Sequence, residues 1–243
     1  MTPIPQQPPR RRLRTPMLTL ALTIAAGLGV LAGGVSPAAA ATPLKGTLAI
    51  AAGKLVPAGK GQPAHYTGSY FRMLLPGATD KYFKNPNSKA KDKSYTLFTP
   101  GSQHGLRLGS FQQPPTPAFA SDGFALAASI VQPLPFAGID FSISTAQTDA
   151  QSGQTDVAPS LSVTGSRLTG NFSSWTAEWN SIYFNQGSPK PGGTYPGLTR
   201  PVTGTYSKRT KAFQIIWYSL IVGGPFNGFT GYWHLQGTLR PGG

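Results

Sequence analysis

The sequence predicts an all-β fold, a single antiparallel β-sandwich or open β-barrel preceded by a cleavable signal peptide, and three observations carry that expectation. Its 30 glycines and 24 prolines fall at short intervals, leaving no room for a sustained helical period. Apolar and polar side chains alternate with period two near the C-terminus, as on a strand with one face in a core. The chain has no cysteine, so an exported domain of this sequence must be held by its core without disulfides.

The signal comes first. Arg10, Arg11, Arg12 and Arg14 form a basic n-region, residues 17–31 an uncharged apolar run, and Ser36-Pro37-Ala38-Ala39-Ala40-Ala41 the small-residue pattern a signal peptidase reads. Residues 1–41 are therefore expected to be removed, leaving residues 42–243 as one domain. A retained anchor would need roughly 20 strongly apolar residues, and this run is diluted by Ala, Gly and Thr. Lipid attachment at the cleavage site would need a cysteine. Arg11-Arg12-Leu13 partly fits a twin-arginine signal and a basic n-region also serves ordinary export, so the route stays open. The Ala, Gly and Pro-rich signal together with zero cysteines fits bacterial export, which also leaves the formal sequon Asn171-Phe172-Ser173 unglycosylated. A domain of about 200 residues buries roughly 70% of its unfolded surface and can fold without staples.

Strands are expected at 48–50, 66–75, 106–111, 124–131, 139–144, 161–164 and 168–175, each a short apolar or alternating run between turn residues. Two long loops interrupt them, at 76–94 and 185–201. A three-stranded antiparallel meander is expected over residues 202–239. It enters at Thr203-Gly204-Thr205-Tyr206, turns through Ser207-Lys208-Arg209-Thr210 and continues through Phe213, Ile215 and Trp217. From Ile215 onward both faces of that strand are apolar, which marks it as central. Asn227-Gly228 reads as a two-residue turn. In the last strand Phe229, Gly231, Trp233, Leu235, Gly237 and Leu239 share one face, with Thr230, Tyr232, His234, Gln236, Thr238 and Arg240 on the wet one. A Thr-Gly-x-aromatic element recurs at Thr67, Thr169, Thr203 and Thr230 without fixed spacing. It is read as glycine admitting close approach beside an aromatic ring.

Charge narrows the partners. The chain carries 21 Lys+Arg against 7 Asp+Glu; the four signal arginines leave 17, for a balance of +10 in the exported domain. Five lysines, Lys81, Lys84, Lys89, Lys91 and Lys93, crowd the loop at 76–94 against Asp80 and Asp92. A strongly basic exported domain attracts anionic wall polymers, acidic glycans or lipid headgroups, with nucleic acid not expected outside the cell. After cleavage no transmembrane span is expected, and the oligomeric state is left open.

Catalytic and metal signatures are sparse. His65, His104 and His234 are isolated, so no metal site or cofactor is expected. There is no G-x-S-x-G elbow or P-loop, and the glycines between 223 and 231 join two strands rather than a strand and a helix. Acid/base hydrolysis needs two carboxylates flanking a bond, and Asp140 with Glu178 is the best pair available. Aromatic and amide side chains offer more: Trp179, Tyr183, Asn185, Gln186, Asn227, Tyr232 and His234 are the candidate binding residues, through ring stacking and hydrogen bonds. Trp217 and Trp233 are assigned to the core, where large rings bury most area.

The run Ile221-Val222-Gly223-Gly224-Pro225-Phe226-Asn227-Gly228-Phe229-Thr230-Gly231-Tyr232-Trp233-His234-Leu235, with Tyr183-Phe184-Asn185-Gln186-Gly187-Ser188-Pro189-Lys190-Pro191, resembles uncharacterised secreted proteins of actinobacterial type. The resemblance implies export and a β-rich domain and transfers no functional residue. The expected function is a secreted or cell-wall-associated, non-catalytic domain that binds an anionic, glycan or lipid ligand. The alternatives are a hydrolase using Asp140 and Glu178, or a self-associating surface protein.

Overall fold

The computed structural model describes residues 40–59, 61–191 and 198–242, so nearly all of the expected signal segment lies outside the described residues. No α-helix occurs among them. The strands are β1 (Thr42–Pro43), β2 (Gly46–Ile50), β3 (Lys54–Val56), β4 (His65–Thr67), β5 (Tyr70–Leu74) and β6 (Thr96–Leu97). They continue with β7 (Gly105–Leu108), β8 (Leu134–Phe136), β9 (Ile139–Thr145), β10 (Ser160–Thr164) and β11 (Arg167–Asn171). The last are β12 (Trp175–Trp179), β13 (Ile182–Asn185), β14 (Arg200–Tyr206), β15 (Ala212–Leu220) and β16 (Thr230–Arg240).

Every strand pairing is antiparallel. A ten-stranded sheet runs β1-β10-β11-β14-β15-β16-β2-β7, with β5 and β6 branching from β16. It curls into a half-barrel, because the chain leaves β1 on β10 and, past Leu44 and Lys45, enters β2 on β16. A four-stranded sheet, β13-β12-β9-β8, and the pair β3-β4 complete the domain.

The core lies where the small sheet meets the curled one. Trp175 of β12 packs edge-on against Trp217 of β15 at 5.2 Å and Trp233 of β16 at 5.5 Å, and Trp217 and Trp233 stack at 5.8 Å. All three are fully buried. A buried indole usually finds a partner for its N–H, and Gln186 satisfies two of the three, while Trp175 Nε1 has none among the described residues. Its carbonyl accepts from Trp217 Nε1 at 2.9 Å and its Oε1 accepts from Trp233 Nε1 at 3.3 Å. Gly231 makes this possible, since a Cβ there would stand 2.2 Å from Gln186 Oε1.

The meander β14-β15-β16 forms as the alternation predicts, with β15 paired to β16 along its whole length. Four expectations change. The strand at 66–75 breaks at Gly68, whose φ of +76° bends the chain between β4 and β5. Residues 124–131 form bridges rather than a strand, pairing singly at Phe119–Ala125 and Pro100–Val131. The stretch 168–175 divides between β11 and β12, which belong to different sheets. The link from β15 to β16 is the loop 221–229 rather than a two-residue turn. Ile221 pairs with Phe229 and Gly228 at its neck, and Phe226 folds back onto Phe136, Trp179 and Phe229 at the apolar rim of the core.

A tyrosine and arginine face as the candidate functional site

Period-two alternation sends Phe71 and Met73 of β5 into the core and leaves Tyr70 and Arg72 on the opposite face of the sheet. Register then fixes their neighbours. Tyr70 pairs with His234 and Arg72 with Tyr232 across β5 and β16, and Tyr218 of β15 stands opposite Tyr232. The rings form a continuous series. Tyr66 stacks on Tyr95 at 4.0 Å, Tyr95 meets Tyr70 edge-on at 5.0 Å, and Tyr70 approaches Tyr232 at 6.1 Å. Tyr232 in turn lies 5.0 Å from Tyr218, and His234 stacks on Tyr70 at 4.5 Å. With Tyr82, six of the nine tyrosines of the chain gather on this face.

Arginine ties the array together. The Arg72 guanidinium sits 3.3 Å from the centroid of Tyr82 and 4.2 Å from that of Tyr95, and Arg200 lies 5.2 Å from that of Tyr218. Such contacts are worth about 0.5–2 kcal/mol each, and the two on Arg72 fasten Tyr82 and Tyr95 to β5. Arg72 Nη2 donates to Ser94 Oγ at 3.1 Å, and that hydroxyl donates to Asp92 Oδ2 at 2.8 Å, so the guanidinium reaches an acid through a serine. Arg72 Nε is buried with no hydrogen-bond partner among the described residues. In the 76–94 loop that carries Tyr82, Lys81, Lys84, Lys91 and Lys93 are exposed.

Burial holds the Tyr95, Tyr218 and Tyr232 phenols above their ordinary pKa, and burial followed by the neighbouring Tyr232 phenol does the same for Tyr70. They remain neutral at physiological pH and can donate as well as accept. Burial lowers the His234 pKa against the opposing pull of the Gly68 carbonyl, 2.8 Å from its Nδ1. The ring is buried and adds no charge to the face at neutral pH, so the expectation of a wet His234 is corrected: loop residues around Gly68 cover it.

The structure separates the other expected site residues. Trp179 is buried, donates from Nε1 to Phe136 O at 2.8 Å, and lines an apolar cavity of about 40 Å³ with Phe71, Phe141 and Phe226. Asn185 and Gln186 are buried scaffolding: Asn185 Nδ2 donates to Ser173 O at 2.7 Å while its Oδ1 accepts from Gly187 N at 3.0 Å. Asn227 accepts from Gly223 N within the 221–229 loop. Tyr183 is on the far face of the small sheet, edge-on to Phe119. Of the seven, Tyr232 and His234 share this face, each packed against Tyr70. Tyr66, Tyr70, Arg72, Tyr82, Tyr95, Arg200 and Tyr218 complete their surroundings.

Asp140 and Glu178 share the outer face of the small sheet, but Glu178 has no exposed surface. Residues 112–125 span β9 above it, bonding Thr145 through Gln112 at one end and Asp140 through Ala125 at the other. The carboxyl accepts from Ser142 Oγ at 2.9 Å and is hydrogen-bonded to Ser144 Oγ as well. Burial raises its pKa to about 8, against the downward pull of the hydrogen bonds from Ser144 and Ser142. A carboxyl sealed in this way cannot reach a substrate. Among the described residues no cluster of three His, Cys, Asp or Glu is arranged to hold a metal ion.

No protein-family model, curated protein or solved structure matches the chain.

Proposed function

We propose that this chain is an exported, non-catalytic binding domain whose tyrosine and arginine face holds an anionic glycan of the cell envelope. The observation that carries the reading is the continuous series of neutral phenols around Arg72 and Arg200, with exposed lysines in the loop that carries Tyr82. Rings supply flat apolar surface for sugars, phenol hydroxyls supply hydrogen bonds, and the cations meet carboxylates or phosphates along the polymer. The balance of +10 in residues 42–243 adds long-range attraction that salt screens.

The test is co-sedimentation or titration with polygalacturonate at low and high ionic strength. Binding is expected to weaken steeply with salt, and to fall about 10-fold or more when Tyr218 and Tyr232 are both changed to alanine in a protein that stays folded. A folded wild-type domain that ignores polygalacturonate at low salt would overturn the reading. Stronger binding to phosphatidylglycerol vesicles or single-stranded DNA than to the glycan would replace it with a lipid or nucleic-acid partner.

A further inference from the structure

A second recess lies beside the same 87–97 segment and next to the tyrosine face, since its wall residue Leu97 pairs with Tyr70. It has a volume of about 360 Å³ and is walled by residues 87–89, 96–99 and 132–135 with Gly53. Three features make it a built cleft rather than a gap between loops. Buried Asn85 cross-links its walls: Nδ2 donates to Thr96 Oγ1 at 3.3 Å and to Pro135 O at 3.2 Å, while Oδ1 accepts from Ala137 N and Asn87 N, both at 3.1 Å. Main-chain bonds brace the floor, from Gln132 N to Thr99 O and from Gly53 N to Phe98 O, both at 2.9 Å. Asn87 Oδ1 is occupied by Gly138 N at 2.8 Å, which leaves the Asn87 amide nitrogen to the cleft.

The lining chemistry is two-sided. Leu97, Pro133, Leu134 and Pro135 give an apolar wall, whereas Asn87, Thr99 and Gln132 bring neutral donors and acceptors. Lys89 is the one charged residue among those lining the cleft. A ligand that suits this surface has an apolar face, a ring of hydroxyls and one negative charge. We propose that the cleft binds a single monoanionic pyranose unit, its ring face on the Leu97 and proline wall and its carboxylate at Lys89. The assignment does not depend on the tyrosine face.

D-glucuronate is the probe, with D-glucose and acetate as its two halves and binding followed by calorimetry and amide chemical shifts. Saturable glucuronate binding is expected, tighter than that of either control, with the shifts centred on residues 87–89, 96–99 and 132. Because the substitution removes the cation and sets a like charge against the carboxylate, Lys89→Glu should weaken glucuronate about 10-fold or more and leave glucose little changed. Leu97→Trp should fill the cleft and abolish both, and the amide shifts of Tyr218 and Tyr232 should stay in place as glucuronate is added, which separates failure here from failure of the polymer reading. The proposal is overturned if wild type shows no saturable binding, if acetate binds as well as glucuronate, or if a folded Leu97→Trp variant binds normally. Shifts centred on Tyr218 and Tyr232 instead would also overturn it and move the sugar to the tyrosine face.

Discussion

Replacing Glu178 with glutamine should change how stability depends on pH, in an amount that follows from its burial. The wild-type carboxyl is held between Ser142 and Ser144 with its pKa raised from 4.5 to about 8, chiefly by loss of solvent. Between those values the folded protein keeps a proton that the unfolded chain releases, so wild-type stability falls as pH rises through the window. At 1.36 kcal/mol per pH unit the loss totals about 5 kcal/mol, most of it already spent by neutral pH. Glutamine has nearly the same shape, can still bond both serines, and does not titrate. Urea unfolding of both proteins from about pH 5 to about pH 9 should give a difference curve along which the variant gains several kcal/mol on wild type. In thermal melts the same change corresponds to a relative shift of about 10–20 °C. A flat difference curve, or one that slopes the other way, would mean the carboxyl is solvated and the cover over β9 is not closed.

Three further outcomes follow from other contacts. Gly231→Ala drives a Cβ to within 2.2 Å of Gln186 Oε1, displacing the amide from the Trp233 indole, and should cost about 1–3 kcal/mol in denaturant unfolding. Lys190 is buried with its pKa lowered to about 8, against the pull of Asp149 and Asp156; the unfolded chain holds that proton longer, so stability should rise with pH from about 8 to 10.5. Lys190→Met should abolish that rise, and an unchanged slope above pH 8 would refute the burial argument. Expression of the full chain in a bacterial host followed by N-terminal sequencing should give exported protein starting near Ala41 or Thr42; an intact Met1 on exported material would contradict cleavage.

Elements with strict alternation were legible from residues alone. β16 and β15 combine period-two patterning with turn residues, and their inward faces carry Trp217 and Trp233 as expected. Elements defined by long-range packing were not. Residues 124–131 look like a strand by composition, yet part of that stretch belongs to the cover over the small sheet, where single bridges replace a ladder. The binding candidates divided for a similar reason. Trp179, Tyr183 and Asn185 are neighbours in sequence, but alternation along β12 and β13 puts Trp179 in the core and Tyr183 on the opposite face, while Asn185, on the same face as Tyr183, is buried and bonded to Ser173 and Gly187. Tyr70 and Arg72 could have been read from the alternation of 70–74. Tyr82 and Tyr95 could not, because only the folding back of the 76–94 loop brings them to Arg72.

The branching at β16 has a consequence in time. Its first half pairs with β5 and its second half with β2, so two early segments depend on one strand that follows every other described strand. Neither early strand can gain its place beside β16 until residues 230–240 are available, and closing such separations is slow compared with joining neighbours. The local meander β14-β15-β16 is therefore the natural nucleus, and the sheet grows backward along the chain from it. Tyr70 and Arg72 wait on β16 for their place, and a chain stopped before Thr230 would have no strand on which to hang them.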